Sequence, residues 1–225
     1  MPALDGRRIW FVGIGGAGLS GYALLARAWG AEVGGWDRVE TPYLAPLGDV
    51  LVELAPDPVV LVLGGSQGAR RLNELAVERW GDAGPAVLHL CGERDFPALR
   101  GRVSRPDYRL LAFTGEIGAA YSAADLALAR AGGSVWELAA AGLPAVLVPY
   151  PHATADHQAK NARFFEEAGG AVAVDESELE RVPKLVDELL ADEARRERMR
   201  EAMEKVARPD AADEIAEELI ALVRP

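Results

Sequence analysis

The sequence predicts an α/β protein built on a Rossmann-like parallel sheet, and three observations carry that prediction. Short β-rich apolar runs alternate with helical runs along the chain, as in strands joined by crossover helices. One run, Val59–Leu63, is continuously apolar, which suits a strand covered on both faces. Glycine-rich turns stand where strand gives way to helix, and sheets of this kind bind ligands beyond the carboxyl ends of their strands.

Taken in order, Ile9–Val12 reads as a strand, Gly13–Gly18 as a tight turn and Leu19–Trp29 as a helix. Ala31–Trp36 reads as a second strand, ending at Asp37. Thr41–Pro58 holds four prolines and little periodicity, which predicts a linker. The expected organisation is a βαβ unit over residues 1–50, a linker over 51–58 and a larger domain over 59–225. A helix opens at GGSQGARRLNE and runs to about Trp80. Further strands are expected at Ala86–Leu90, Arg109–Phe113, Leu126–Ala129, Ala145–Val148 and Ala171–Val174, with helices between most of them. The tail from Glu178 to Arg224 reads as helical, with a break near Arg208-Pro209.

Composition narrows the function. The chain has 225 residues, 50% hydrophobic and 26% charged, an ordinary globular balance. Its net charge of −11 argues against nucleic acid and against an anionic membrane surface, since both require basic patches. No apolar run is long enough to span a bilayer. Two arginines precede the apolar stretch of MPALDGRRIWFVGIGG, but that stretch is glycine-rich, continues into a helical pattern and lacks a small-residue cleavage site, so a cytoplasmic protein is expected. The single cysteine, Cys91, excludes a disulfide within the chain, and neither a metal nor a cofactor is expected.

Three constellations carry chemistry. Gly13, Gly15, Gly16, Ala17 and Gly18 form a strand-to-helix loop that would let a diphosphate approach free N–H groups, and Asp37 stands where a carboxylate accepts ribose hydroxyls. The competing reading is that these glycines only permit tight strand–helix packing. Ser66 and Gln67, in the second loop, offer phosphate or hydroxyl contacts. Gly133 and Ser134 open a helix whose N–H groups would hold a diphosphate. Glu137, one turn on and on the same face, would repel phosphate, so its task there is to accept ribose hydroxyls; the alternative is a solvated acid near the helix start. After the Pro-Tyr-Pro-His loop come His157, Gln158 and Asn161. The latter two share a helix face, and their amides both donate and accept, which suits hexose hydroxyls. The plainer alternative is a polar surface capped by Asp156. His89 lies in an apolar run and reads as a core residue. An NAD-type oxidoreductase built on GIGGAG and Asp37 would leave the whole Gly132–Asn161 region unexplained.

Two resemblances add to this reading. IWFVGIGGAGLSGYALLARAWGAEVGGWDRVETPYLAPL is similar, over residues 7–47, to the opening of the UDP-N-acetylmuramate–L-alanine ligases, the MurC family. There the glycine loop contacts the diphosphate of a UDP-sugar. The ATP-binding and amino-acid domains of those ligases have no counterpart here, and no Walker-type loop is present, so ligase activity is excluded. VVLVLGGSQGARRLNE and LALARAGGSVWELAAAGLPAVLVPYPHATADHQAKNA resemble the C-terminal half of the MurG family, with the match running from about Pro58 to Leu222. That family moves N-acetylglucosamine from UDP-GlcNAc to undecaprenyl-pyrophosphoryl-MurNAc-pentapeptide.

The second resemblance implies the donor domain of a GT-B fold. It implies that Ser66 and Gln67 line the donor cleft and that Phe113, Thr114 and Ile117 (FTGEI) frame uracil. It places Gly133 and Ser134 on the diphosphate and Glu137 on the ribose. His157 and Gln158, where relatives often carry two glutamines, would meet the sugar, with Asn161 nearby. It also implies that the last helix, Ala211–Val223, crosses back to the first domain. The acceptor half of that family brings a histidine-bearing glycine loop, whereas GIGGAGLS has no histidine. Inverting transfer needs a general base within hydrogen-bond reach of the acceptor, and no residue here is a good candidate.

The functional expectation is therefore a fusion of cell-wall enzyme fragments that binds UDP or UDP-N-acetylglucosamine without efficient transfer. The alternatives are an active N-acetylglucosaminyltransferase of peptidoglycan precursor synthesis and an assembly protein with vestigial nucleotide pockets. A βαβ unit of this size cannot bury enough apolar area alone. The second domain, the C-terminal helix or another copy of the chain in a homodimer must cover it.

Overall fold

The computed structural model describes residues 4–37, 40–48, 51–54, 58–64, 69–153 and 156–223. The chain divides into two compact units, residues 1–128 and 129–225.

The first unit begins with a small three-stranded sheet of order β1-β2-β3. Strand β1 (Arg8–Val12) leads through the glycine turn into helix α1 (Ala17–Ala28), and β2 (Glu32–Asp37) returns parallel to β1 with Arg8 opposite Glu32. The expected linker is not featureless. Pro42–Leu47 coils into a 3₁₀ helix and Leu51–Leu54 forms β3, parallel to β2 with Gly34 opposite Leu51. A short core of Ile14, Ala23, Ala26, Ala31, Val33 and Leu47 holds these pieces together. Its tightest point is Gly35, where an added Cβ would lie 2.5 Å from Ile14 Cδ1. Glycine at that position lets Ile14, which is fully buried, enter the core directly above β2. Arg27 fastens the 3₁₀ helix by donating from Nη1 to the Leu47 carbonyl at 2.7 Å. The module also exposes large apolar side chains, among them Trp10, Tyr22, Trp29 and Tyr43.

The second sheet has six strands in the order β6-β5-β4-β7-β8-β9. They are β4 (Val59–Leu63), β5 (Ala86–Leu90), β6 (Tyr108–Leu111), β7 (Leu126–Ala129), β8 (Ala145–Leu147) and β9 (Ala171–Ala173). Strand β4 is buried at every position, as its unbroken Val-Val-Leu-Val-Leu run requires of a strand covered on both faces. The pairs β4/β5, β5/β6 and β8/β9 are parallel. Chain order runs one way from β4 to β6 and the other way from β7 to β9, so winding reverses between β4 and β7, the place where open α/β sheets bind ligands.

Within the first unit, helices α2 (Arg70–Trp80), α3 (Phe96–Leu99) and α4 (Ile117–Ser122) connect the strands. The buried Asp125 locks the lower edge, accepting the Val59 N–H at 2.8 Å, while its own N–H donates to the Val59 carbonyl. The second unit continues with α5 (Ser134–Ala140), α6 (His157–Glu167), a 3₁₀ segment at Glu176–Arg181, α7 (Val182–Ala191), α8 (Glu193–Val206) and α9 (Ala211–Val223). The helical tail thus breaks at Asp192 as well as near Pro209. In α9, Ile215, Leu219, Ile220 and Leu222 are open to solvent. No helix among the described residues is long and apolar enough to cross a membrane.

Candidate functional site

The densest set of predicted residues lies in the second unit, around the turn after β7. Arg130 leaves the strand, Ala131-Gly132-Gly133 turns the chain, and Ser134 starts α5. The bonds that open this turn run from Val135 N–H to the Gly132 carbonyl (3.2 Å) and from Trp136 N–H to the Gly133 carbonyl (3.1 Å). No side chain caps the helix start. The N–H groups of Gly133 and Ser134 therefore lead the helix, Gly133 is exposed, and a Cβ built there would meet nothing within 4 Å. Glu137 sits in the first turn with its side chain exposed.

Two amides from α6 converge on this turn and on the loop after β8. Asn161 donates from Nδ2 to the Ala131 carbonyl at 3.0 Å. Gln158 accepts the Tyr150 N–H on its Oε1 at 2.9 Å, and a Cβ on Gly132 would stand 3.9 Å from its Nε2. Each amide thus uses one end to fix backbone, and its opposite end, the Gln158 NH₂ or the Asn161 carbonyl, is the part with capacity for a ligand. His157 begins α6 and is exposed. Asp156 before it adopts a left-handed conformation (φ 54°) and makes no side-chain cap bond. The helix start is therefore not explained by capping, and a non-glycine residue in that region is a local strain of the kind concentrated at functional loops.

Beneath the loop lies an arrangement of Arg130, Glu176 and Tyr150, none of which stands among the site residues expected from the sequence. The buried Arg130 guanidinium pairs with the buried Glu176 and donates from Nη1 to the carbonyls of Val148 and Pro149, both at 3.2 Å. It also lies 5.4 Å from the centroid of the Tyr150 ring. The sequence signal for Arg130 is its place directly before the glycine turn. Glu176 is one acid in an acidic run and carries no local mark of its pairing.

In the first unit, Asp37 is not displayed for a sugar. It is buried, and its Oδ2 accepts the Gly15 N–H at 2.5 Å. Thr41 donates its hydroxyl to the Gly15 carbonyl at 2.7 Å. A carboxylate already at the loop's N–H groups opposes a second anion there. Gly13 adopts φ 78° and Gly16 donates to its carbonyl at 3.0 Å. Gly16, Ala17 and Gly18 lead into α1 with exposed faces. Phe113 is 72% exposed, and the Thr114 hydroxyl accepts the Glu116 N–H at 3.0 Å ahead of α4, which Ile117 begins. The strand before them ends at Leu111 rather than Phe113. Ser66 and Gln67 lie outside the described residues.

His89 belongs to the core. It is fully buried, with Nε2 2.9 Å from Asn73 Oδ1 and Nδ1 2.8 Å from the Tyr108 hydroxyl. Asn73 Oδ1 only accepts, so Nε2 carries the proton and Tyr108 donates to Nδ1. Asn73 passes the network on by donating to the Cys91 carbonyl and to Asp95. Burial lowers the His89 pKa from 6.5 to about 3 and pushes the Tyr108 hydroxyl up. The described residues contain no group of three or more metal-ligating side chains.

The chain has counterparts among known proteins. The family described as Glycosyltransferase family 28 C-terminal domain matches residues 59–215. A Nitratidesulfovibrio vulgaris protein named UDP-N-acetylglucosamine--N-acetylmuramyl-(pentapeptide) pyrophosphoryl-undecaprenol N-acetylglucosamine transferase is 42% identical over 180 residues, covering 75% of this chain and 49% of that protein. Its namesake from Rubrobacter xylanophilus is 41% identical over 171 residues, covering 74% and 50%. The chain thus spans about half the length of the curated relatives it matches. Among solved structures, Acinetobacter baumannii MurG aligns with a TM-score of 0.62 at 27% identity, over 90% of this chain and 70% of that one. A calicheamicin glycosyltransferase aligns at TM-score 0.56 and 24% identity, over 85% and 54%, and supports the fold alone. The architecture is that of a GT-B donor domain.

Proposed function

The chain belongs to the glycosyltransferase family 28 C-terminal domain family, and on that premise we propose that it binds UDP-N-acetylglucosamine as the donor half of an N-acetylglucosaminyltransferase of peptidoglycan precursor synthesis. The observation that carries this reading is the convergence of Gln158 and Asn161 on the turn that opens α5, with Glu137 in that helix's first turn. In this reading Gly133 and Ser134 direct N–H groups at the diphosphate, Glu137 accepts the ribose hydroxyls, and the ligand-facing ends of Gln158 and Asn161, with His157, meet the hexose. The family resemblance alone assigns Phe113, Thr114 and Ile117 to the uracil and Ser66 and Gln67 to the donor.

Transfer breaks the bond between the anomeric carbon and the diphosphate, so charge grows on the departing UDP. Backbone donors already aimed at that position stabilise it without reorganising, an effect that enzymes of many kinds exploit. Among the described residues no side chain is assigned as the base that takes the acceptor proton. A second reading is favoured by the first glycine loop: its Gly15 N–H is engaged by Asp37 and it carries no histidine. In that reading the chain as given holds the donor and transfers slowly. The resemblance of residues 7–47 to a UDP-sugar ligase assigns that loop a second diphosphate, which would have to displace the Asp37 carboxylate.

Calorimetric titration with UDP, UDP-GlcNAc, UDP-MurNAc and NADH tests the proposal. UDP and UDP-GlcNAc should bind and NADH should not. Glu137→Ala should weaken UDP roughly 10- to 100-fold, the effect of losing hydrogen bonds to a charged acceptor. Unchanged affinity in that variant would refute the site. Turnover with a lipid-linked muramyl acceptor separates the two readings.

A further inference from the structure

Tyr150 is a large aromatic side chain left 45% exposed, yet it is held from three directions. Its N–H is fixed by Gln158. Its ring lies against the Arg130 guanidinium, which the buried Glu176 carboxylate and the Val148 and Pro149 carbonyls hold in turn. The His152 ring meets it edge to face, with centroids 5.6 Å apart. An exposed aromatic on a loop ordinarily gains nothing from such support. A buried ion pair is expensive to assemble, because both charges leave water, and here it is placed under a ring that faces solvent. The same Gln158 amide that holds the Tyr150 backbone has its Nε2 near Gly132, so one side chain reaches both the Tyr150 loop and the turn at which the proposed diphosphate sits.

From this geometry we infer that Tyr150 is a sugar-binding residue, its ring forming the apolar wall of the hexose subsite, and that Arg130 and Glu176 are the positioning residues that hold the wall. This rests on the donor-site reading above and deepens it. A pyranose presents hydroxyls at its edge and C–H groups on its faces. The Gln158 and Asn161 amides suit the edge, and a fixed aromatic ring suits a face, burying apolar surface at little entropic cost because it is already ordered. Glu176 keeps Arg130 from being drawn out toward the ligand phosphates, so the guanidinium stays beneath the ring.

Calorimetry with UDP and UDP-GlcNAc on the full chain tests the wall. In the wild type, UDP-GlcNAc should bind more tightly than UDP. Tyr150→Ala should leave UDP affinity within twofold and lower UDP-GlcNAc affinity by roughly fivefold or more, while Tyr150→Phe retains wild-type values. Glu176→Gln should reproduce part of the same selective loss. Equal losses for both ligands would mark Tyr150 as merely structural and overturn the inference. So would unchanged UDP-GlcNAc binding in Tyr150→Ala, or a wild type that gains nothing from the sugar. Absence of any UDP binding to the wild type is a different failure, which removes the donor-site reading and this inference with it.

Discussion

At the scale of single residues, the turn that opens α5 distinguishes two amides that look alike in sequence. Asn161 donates to the carbonyl of Ala131, a residue with no exposed surface. Gln158 accepts from Tyr150 on an open loop. Removing a partner from a buried carbonyl costs about 1–3 kcal/mol, whereas water replaces a lost partner at the surface. Asn161→Ala should therefore lower unfolding stability by about 1–2 kcal/mol and weaken UDP and UDP-GlcNAc together, because the turn itself loosens. Gln158→Ala should cost less than about 0.5 kcal/mol and weaken chiefly UDP-GlcNAc. Urea denaturation paired with calorimetry checks both, and equal stability losses would contradict the assignment. That both residues belong near one site is legible in their spacing on α6, since residues three apart share a face. That each is half committed to backbone is not, because the carbonyl and N–H they bind lie 30 and 8 residues away.

Among elements, the N-terminal module shows where local pattern fails and why. An apolar strand, a glycine turn and a helical period make β1, α1 and β2 readable. The four prolines between Thr41 and Pro58 mask the strand that lies among them, because proline signals a break and not the structure the chain resumes after it. Leu51–Leu54 becomes a strand by pairing with β2, a tertiary opportunity absent from any window of sequence. The glycines of Gly13–Gly18 and Asp37 are neighbours, as their spacing implies, but the carboxylate serves the loop's own backbone. Gly35, which reads only as part of a strand, fixes how Ile14 packs. Gly35→Ala should drive Ile14 aside and destabilise the module by about 1–3 kcal/mol, the usual cost of overpacking. The measurement is amide hydrogen exchange, with protection lost in β1, β2 and α1 and retained in β8, β9 and α6. Uniform loss across the chain would show that the module does not unfold locally.

At the scale of the whole molecule, the net charge of −11 and the buried His89 network act on stability at different pH. The charge surplus makes the compact state repel itself at neutral pH, and acidification relieves that repulsion as carboxylates take up protons. His89 works in the opposite direction. Its folded pKa, lowered by burial from 6.5 to about 3, keeps it neutral in the native state while the unfolded chain protonates it below pH 6.5. Its contribution is therefore complete above pH 6.5 and is lost as pH falls toward 3. Each unit of separation is worth about 1.4 kcal/mol, so unfolding free energy should drop by roughly 2.5 kcal/mol between pH 7.5 and 4.5 from this group alone. Asp95, whose carboxyl the Arg94 guanidinium holds below its usual value, and Asp107, held down likewise by Arg105, lose their contributions only at lower pH. The difference between the wild type and His89→Leu over pH 6.5 to 4.5 therefore isolates the histidine. Urea midpoints across that interval should fall in the wild type, and the fall should shrink by most of its size in His89→Leu, even though that variant is less stable at every pH. An equal slope in both proteins would place the acid sensitivity outside the Asn73–His89–Tyr108 network.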